Sequence, residues 1–400
     1  MMRIGLIAWD YPPSPSGLST AAREIAESLA AAGMDVTVFA LDRTGTARQG
    51  AVTVVGCAIP ERSGLAFLRR RGGIGHLAAP LAFRRAVRAE HRRRPFDLVE
   101  ATNWYAPAVL LGGRGDPPLV TRNSTPAAYS RERPTSLRDR FDAATADRLE
   151  ARQAQRSAAF LSNTAEHARR IAAEYRLGAD RRPHAVAGLS LPPETIRRGA
   201  IAPYPPLGTG DPVQLLFVGR AEHRKGFDLV TGAAAILGAE AEAGTLPPFA
   251  IRLVGVPAAD LPATLSPLAR ARITPLGRLP EGELAREYEA AHVVLAPSRY
   301  ESFGLVYQEA IAYGRPMVAC AVDASGQLFV GDTGAGAMAA SDTPEAMAEA
   351  LRPLIRDANV RESFRAHALK AAGRFDRERL AAETLALYRQ ALLAAAPQGR

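Results

Sequence analysis

Short apolar runs alternate with amphipathic stretches along the whole chain, and the alternation restarts once. Residues 3–9 have the pattern of a buried strand. After the loop Asp10–Gly17, residues 19–32 carry apolar positions at helical spacing, with Ile25 and Leu29 on one face, and Gly33 stops that helix. Val36–Phe39 reads as a second strand, so the chain opens as a βαβ unit and predicts a parallel sheet. Strands follow at 97–100 and 118–121, then a long polar helix over 136–158 and a strand at 159–162. Residues 183–212, rich in proline and glycine, read as the linker between two domains. The pattern then begins again, with a strand at 213–218, a helix at 227–238 and strands at 250–254, 292–296 and 316–319. A helical run over 380–394 closes the chain. The expectation is an α/β protein of two Rossmann-like, doubly wound domains facing across a cleft, spanning 1–200 and 201–378. Residues 379–400 would form a helix packing back on the first domain. Ligands in such sheets bind beyond the carboxyl ends of the strands.

Length agrees with two domains, since 400 residues exceed what one core comfortably organises. The formal net charge of +9 is partly local, at Arg69–Arg71 and Arg84–Arg94. A solvated helix face is the simplest reading of these arginines; a docking face for anionic lipid or an anionic acceptor is the lesser one. Few aromatics interleave with them, which argues against nucleic acid. Only two cysteines occur, Cys57 and Cys320, and no Cys/His cluster has metal-ligand spacing, so no metal site is expected. A reducing, cytoplasmic setting follows, since no signal-peptide pattern and no run of eighteen apolar residues is present. Neither half has a Gly-x-Gly-x-x-Gly run after its first strand, and no Walker A sequence appears, which removes the simplest nicotinamide, flavin and P-loop readings.

The chemistry concentrates between residues 213 and 320. Gly219, permitting a tight turn, ends a strand and is followed by Arg220 and Lys225 on one loop. A planar fork and a mobile point charge together suit a diphosphate. Some eighty residues later runs Ser298-Arg299-Tyr300-Glu301-Ser302-Phe303-Gly304-Leu305, with Glu309 beyond it. A helix starting near Gly304 leaves the amides of Gly304, Leu305 and Val306 free for an anion. Glu301 and Glu309 can each accept from two sugar hydroxyls. Phosphate holders beside hydroxyl acceptors point to a nucleoside-diphosphate sugar.

Arg220-x4-Lys225 and Glu301-x7-Glu309, with Pro297-Ser298 and Ser302–Leu305 around them, resemble the retaining glycosyltransferases of family GT4, which have the GT-B fold. Tyr11-Pro12-Pro13…Gly17, Asp97–Glu100 and Gly277–Pro280 are similar as well. The resemblance implies that Arg220, Lys225 and Glu301 carry catalysis and that Gly219 lies at the donor. Phe303, Gly304 and Leu305 would give main-chain contacts to phosphate and sugar, Glu309 would hold the ribose, and Arg278 and Leu279 would lie by the base. Gly17 would approach the diphosphate. The co-substrate would be a GDP- or UDP-linked sugar, with no other cofactor.

The chain departs from that family at three places. Leu18 replaces a second loop glycine, Asn123 or Ser124 stands where a histidine is usual, and Ser325–Phe329 lacks a customary glutamate. Asn123, Ser124 and Trp104 are the acceptor-side candidates, the last with Tyr105 as a platform or as core. The acceptor could be a small molecule, a lipid carrier or a glycan. A nucleotide-sugar epimerase and a binding protein without turnover are the competing readings. The expected reaction is metal-independent and retaining, with the departing phosphate oxygen taking the acceptor's proton.

Overall fold

A computed structural model describes residues 1–14, 16–131, 134–177, 182–374 and 376–395. The chain divides into two compact units, Met1–Ser190 with Asp376–Arg400, and Leu191–Phe375.

The first unit is built on a single sheet. Its strands are β1 (Arg3–Ala8), β2 (Asp35–Ala40), β3 (Thr46–Gln49), β4 (Val52–Gly56), β5 (Leu98–Thr102), β6 (Leu119–Asn123), β7 (Ala159–Ser162) and β8 (His184–Val186). Their order is β3-β4-β2-β1-β5-β6-β7-β8. Every pair is parallel except β3–β4. Most connections carry a helix, which is what a parallel pairing requires. The β3–β4 hairpin went unforeseen because β3 is exposed at all four positions and shows no apolar alternation.

Apolar residues of β1, β2, β4, β5 and β6 share a core with the helices Gly17–Ala31 and Arg377–Ala395. The C-terminal helix is thus part of this unit's interior. Arg377 forks onto the fully buried Glu24 at 2.7 and 2.8 Å. Deeper in the same unit, Arg122 of β6 meets Glu100 of β5 at 2.7 Å and Thr384 at 2.9 Å. The Tyr388 hydroxyl donates to Glu100 at 2.5 Å.

The proline-rich stretch is not a bare linker. It contains β8 and the helix Pro193–Ile201, and the change of unit falls after Ser190, within it. Pro193 sits at the first turn of that helix, where a missing N–H costs nothing.

The second unit holds β9 (Val213–Val218), β10 (Phe249–Val254), β11 (Ile273–Gly277), β12 (Val293–Ala296), β13 (Met317–Cys320) and β14 (Gly336–Ala339). They form one parallel sheet ordered β11-β10-β9-β12-β13-β14. Strand order reverses between β9 and β12. At such a switch point the loops leaving two neighbouring strands diverge and leave a crevice at the carboxyl edge. Among the described residues, no helix is long and apolar enough to cross a membrane.

Candidate active site

The two loops at that reversal are clamped together. The loop after β9 folds into a 3-10 turn, His223–Lys225, closed by Gly226 at φ +70°. A Cβ on Gly226 would collide with the Pro297 carbonyl oxygen, so only glycine lets the two loops approach. The Arg299 amide donates to the Arg224 carbonyl at 2.8 Å. The Arg299 guanidinium then ties His223 O (2.6 Å), Asp228 (2.8 Å) and Asp342 (2.9 Å) together. This strap, far apart in sequence, sets the loop after β9 against the loop after β12.

The clamp places cations on Glu301. Lys225 Nζ donates to Glu301 Oε1, Arg224 Nη1 reaches the same oxygen at 3.2 Å, and the Ser298 hydroxyl lies 3.2 Å from it. Only 10 % of the Glu301 side chain is exposed, so its charge persists on those partners. Burial alone would raise its pKa, but Lys225 and Arg224 outweigh burial and hold it below the ordinary carboxylate value. A water-sized cavity of ≈ 10 Å³ adjoins Lys225, Glu301, Gly304 and Tyr307.

The helix Leu305–Ala312 begins at Gly304, whose φ is +80°. A side chain there would strike the Tyr307 ring. No side chain caps this helix, so its first amides and its positive dipole end are available to an anion. Phe303 turns its ring inward, edge-on to Phe329 at 5.0 Å, leaving its backbone as the part that can meet a ligand.

Glu309 lies one turn further in and accepts from the Tyr288 hydroxyl at 2.6 Å. Burial raises its pKa to about 7; the Tyr288 bond and Lys225 pull the other way, and Glu281 adds to the rise. Asp323, at the exit of β13, accepts from the Glu301 amide at 2.9 Å and from the Gly326 amide at 3.0 Å, and lies 2.7 Å from the Tyr307 hydroxyl. It fixes the backbone of the segment that carries Glu301. Burial and the nearby Glu301 charge raise the Asp323 carboxyl to about 6.

Lys225, Glu301, Gly304 and Glu309 therefore meet at one edge of the second unit. Arg220 shares the loop but points to Glu222 at 2.6 Å and is 60 % exposed. Arg224, not singled out from sequence, is the second cation on Glu301. Gly219 bends the chain just after β9 without a positive φ, and its amide donates to Val254 O at 2.9 Å. Arg278 and Leu279 follow β11 at the same carboxyl edge, two strands from β9, with Arg278 exposed.

In the first unit, Gly17 is exposed at the start of its helix, behind the Ser16 cap. Asn123 is completely buried with its amide on Ser162 at 3.0 Å, so it is corrected from an acceptor-side residue to a core one. The Ser124 hydroxyl is engaged by Thr102 at 2.8 Å and Asn103 at 3.0 Å. Trp104 lines a cavity of ≈ 710 Å³ together with His76. Of the basic stretch 84–94, Arg88 forks onto Asp116 at 2.6 Å and Arg94 pairs with Asp35 at 2.6 Å.

Two parallel α/β units, one carrying cations and a free helix start at its strand reversal, define a GT-B glycosyltransferase. Residues 16–189 match the family description "Glycosyl transferase 4-like domain", and residues 212–357 match "Glycosyl transferases group 1". A D-inositol 3-phosphate glycosyltransferase of Kineococcus radiotolerans is 31 % identical over 94 % of this chain and 91 % of that protein. The fold is similar to that of sucrose-phosphate synthase from Thermosynechococcus elongatus, with a TM-score of 0.70, 21 % identity and coverage of 99 % and 100 %. It is similar also to WaaG, a glycosyltransferase involved in lipopolysaccharide biosynthesis, with a TM-score of 0.67, 18 % identity and coverage of 98 % and 100 %. The chain belongs to family GT4: it is a glycosyltransferase that moves a sugar from a nucleotide sugar to an acceptor.

Proposed function

We propose that the second unit holds a nucleoside-diphosphate sugar and that transfer proceeds with retention and without a metal ion. The observation that carries this reading is the Lys225–Glu301–Arg224 cluster beside the uncapped helix start at Gly304. Negative charge grows on the diphosphate as the anomeric carbon loses it. Two cations and a row of amides aimed at that charge stabilise it without reorganising at the moment of reaction. Lys225 exchanges Glu301 for a phosphate oxygen when donor binds, and Glu301 turns to the hydroxyls of the transferred sugar. Arg220, on the mobile end of its ion pair, joins the diphosphate from solvent. The departing oxygen takes the acceptor proton on the face it leaves, which retains configuration. Since the relatives are named for a small cyclitol phosphate, a small-molecule acceptor is the reading we adopt.

The test is incubation with UDP- and GDP-linked sugars and small acceptors, with product anomers read by NMR. An α-linked donor should give an α-linked product, and EDTA should leave the rate unchanged. An inverted product or an EDTA-sensitive rate would refute the corresponding part. Isomerised donor without acceptor would make the protein an epimerase instead.

A pH profile tests Glu309 separately. Its raised pKa means that it loses its proton only as pH climbs through about 7. The ionised carboxylate is the better acceptor of ribose hydroxyls, so donor KM should fall as pH rises toward that value. The change approaches about tenfold per pH unit below it if only the ionised form binds. Glu309→Gln should flatten the dependence. A profile unchanged by the substitution would remove Glu309 from the ribose.

A further inference from the structure

The ≈ 710 Å³ cavity of the first unit is assigned to nothing so far, and its walls are chemically distinctive. One side is aromatic. Trp9 and Trp104 meet edge to face at 6.0 Å, and Tyr105 stands against Trp104 at 4.9 Å. Both indole N–H groups are already used, Trp9 on the Trp104 carbonyl at 2.9 Å and Trp104 on Ser130 at 3.0 Å. What the two indoles offer a ligand is therefore carbon surface.

The wall is held in an unfavourable backbone shape. Tyr105 and Ala106 have φ of 53° and 47°, a region that costs non-glycine residues free energy. Buried Glu150 accepts from the Tyr105 amide at 2.8 Å, and Gln153 from the Ala108 amide at 2.8 Å. Two side chains of the helix Leu137–Arg156 thus enforce the conformation that presents the Tyr105 ring.

The lining is also cationic. Arg69, Arg70 and Arg138 line the cavity, and among the described residues their guanidinium groups have no hydrogen bond or ion pair. The two carboxylates of the lining are engaged. Asp139 closes the capping box with Ser136, and Asp142 lies 3.1 Å from His76 Nε2, whose ring stacks on Tyr105 at 5.4 Å. Three unpaired positive groups against two occupied negative ones leave the lining selective for an anion.

We propose that this cavity is the acceptor site, and that it takes a molecule with a flat apolar ring and an anionic group. The ring lies on the Trp9–Trp104–Tyr105 wall, and the anion meets Arg69, Arg70 and Arg138. The volume is that of a pocket for a drug-sized ligand, and a single cyclitol phosphate would leave much of it to water. Cyclitol phosphate and aromatic acid share the anion; the aromatic wall favours the second. The proposal rests on glycosyl transfer as the reaction, but its test does not use turnover.

Calorimetric titration of the intact chain with three probes decides it: 6-hydroxy-2-naphthoate, neutral 2,6-dihydroxynaphthalene, and myo-inositol 3-phosphate. The naphthoate should bind at least about tenfold more tightly than either other probe. Arg70→Ala and Arg138→Ala, both changes at exposed side chains, should each weaken it by about tenfold, the scale of one charge-assisted hydrogen bond. Neither should alter binding of UDP or GDP, whereas Lys225→Ala should weaken the nucleotide and leave the naphthoate unaffected. The proposal is overturned if no probe binds, if the neutral diol binds equally well, if inositol phosphate binds as tightly, or if both arginine variants behave as the parent. Loss of nucleotide binding alone would count against the donor site and not this cavity.

Discussion

Lys225→Ala should lower kcat by about 10²–10³, the cost of losing one preorganised stabiliser of transition-state charge, about 2.7–4 kcal/mol. Lys225 is the cation nearest Glu301, and it lines the same small cavity as Gly304. Arg224 cannot substitute, because its guanidinium is anchored to the Tyr300 carbonyl at 3.0 Å as well as to Glu301. Arg220→Ala should cost far less, under about tenfold, since that side chain is largely in solvent and paired with Glu222. The comparison is made by steady-state kinetics at saturating donor. Equal losses in the two variants, or no loss at Lys225, would break the assignment of the diphosphate to this loop.

The largest expected effect on stability lies far from that loop. Arg122→Met should destabilise the first unit by about 3–5 kcal/mol, because it strands the Glu100 carboxylate in the interior. Glu100 is 1 % exposed and Arg122 6 %. Removing the cation leaves the Tyr388 hydroxyl as the donor to Glu100, which cannot replace a full charge. Adding Glu100→Gln to Arg122→Met should restore much of the loss, since an uncharged buried amide costs less than an unpaired ion. Chemical denaturation followed by far-UV circular dichroism measures both variants. A single variant as stable as the parent would show that the pair contributes nothing net.

Asp97–Glu100 is one of the stretches that resemble the family, and the structure gives one of its residues a plain physical task. Glu100 is the buried anchor to which β6, through Arg122, and the C-terminal helix, through Tyr388, are both fastened. Its partner Tyr388 is 288 positions away, so no local pattern could announce the contact.

The same contrast runs through the candidate site. The placement of Lys225 after a strand exit, and of Glu301, Gly304 and Glu309 around a helix start, was legible because it follows from local spacing. Arg224 was not, because which of three consecutive residues in a 3-10 turn faces Glu301 depends on how Gly226 and Pro297 pack. Asp323 was missed because it reads as an ordinary helix cap, and it acts on the Glu301 amide only through the pairing of β12 and β13. The aromatic wall at Trp9, Trp104 and Tyr105 draws on the exits of β1 and β5, adjacent in the sheet but ninety-five positions apart.

The order of apolar and polar residues was enough to settle two things: that strands and helices alternate in two runs, and that a helix begins beside Gly304. Both depend on residues within a few turns of each other, where backbone geometry alone decides which side chains share a face. Sheet order, the strap at Arg299, the direction of Arg220 and the composition of the large cavity were decided by tertiary packing. They depend on which strands become neighbours, and that is fixed by burying many distant apolar positions at once.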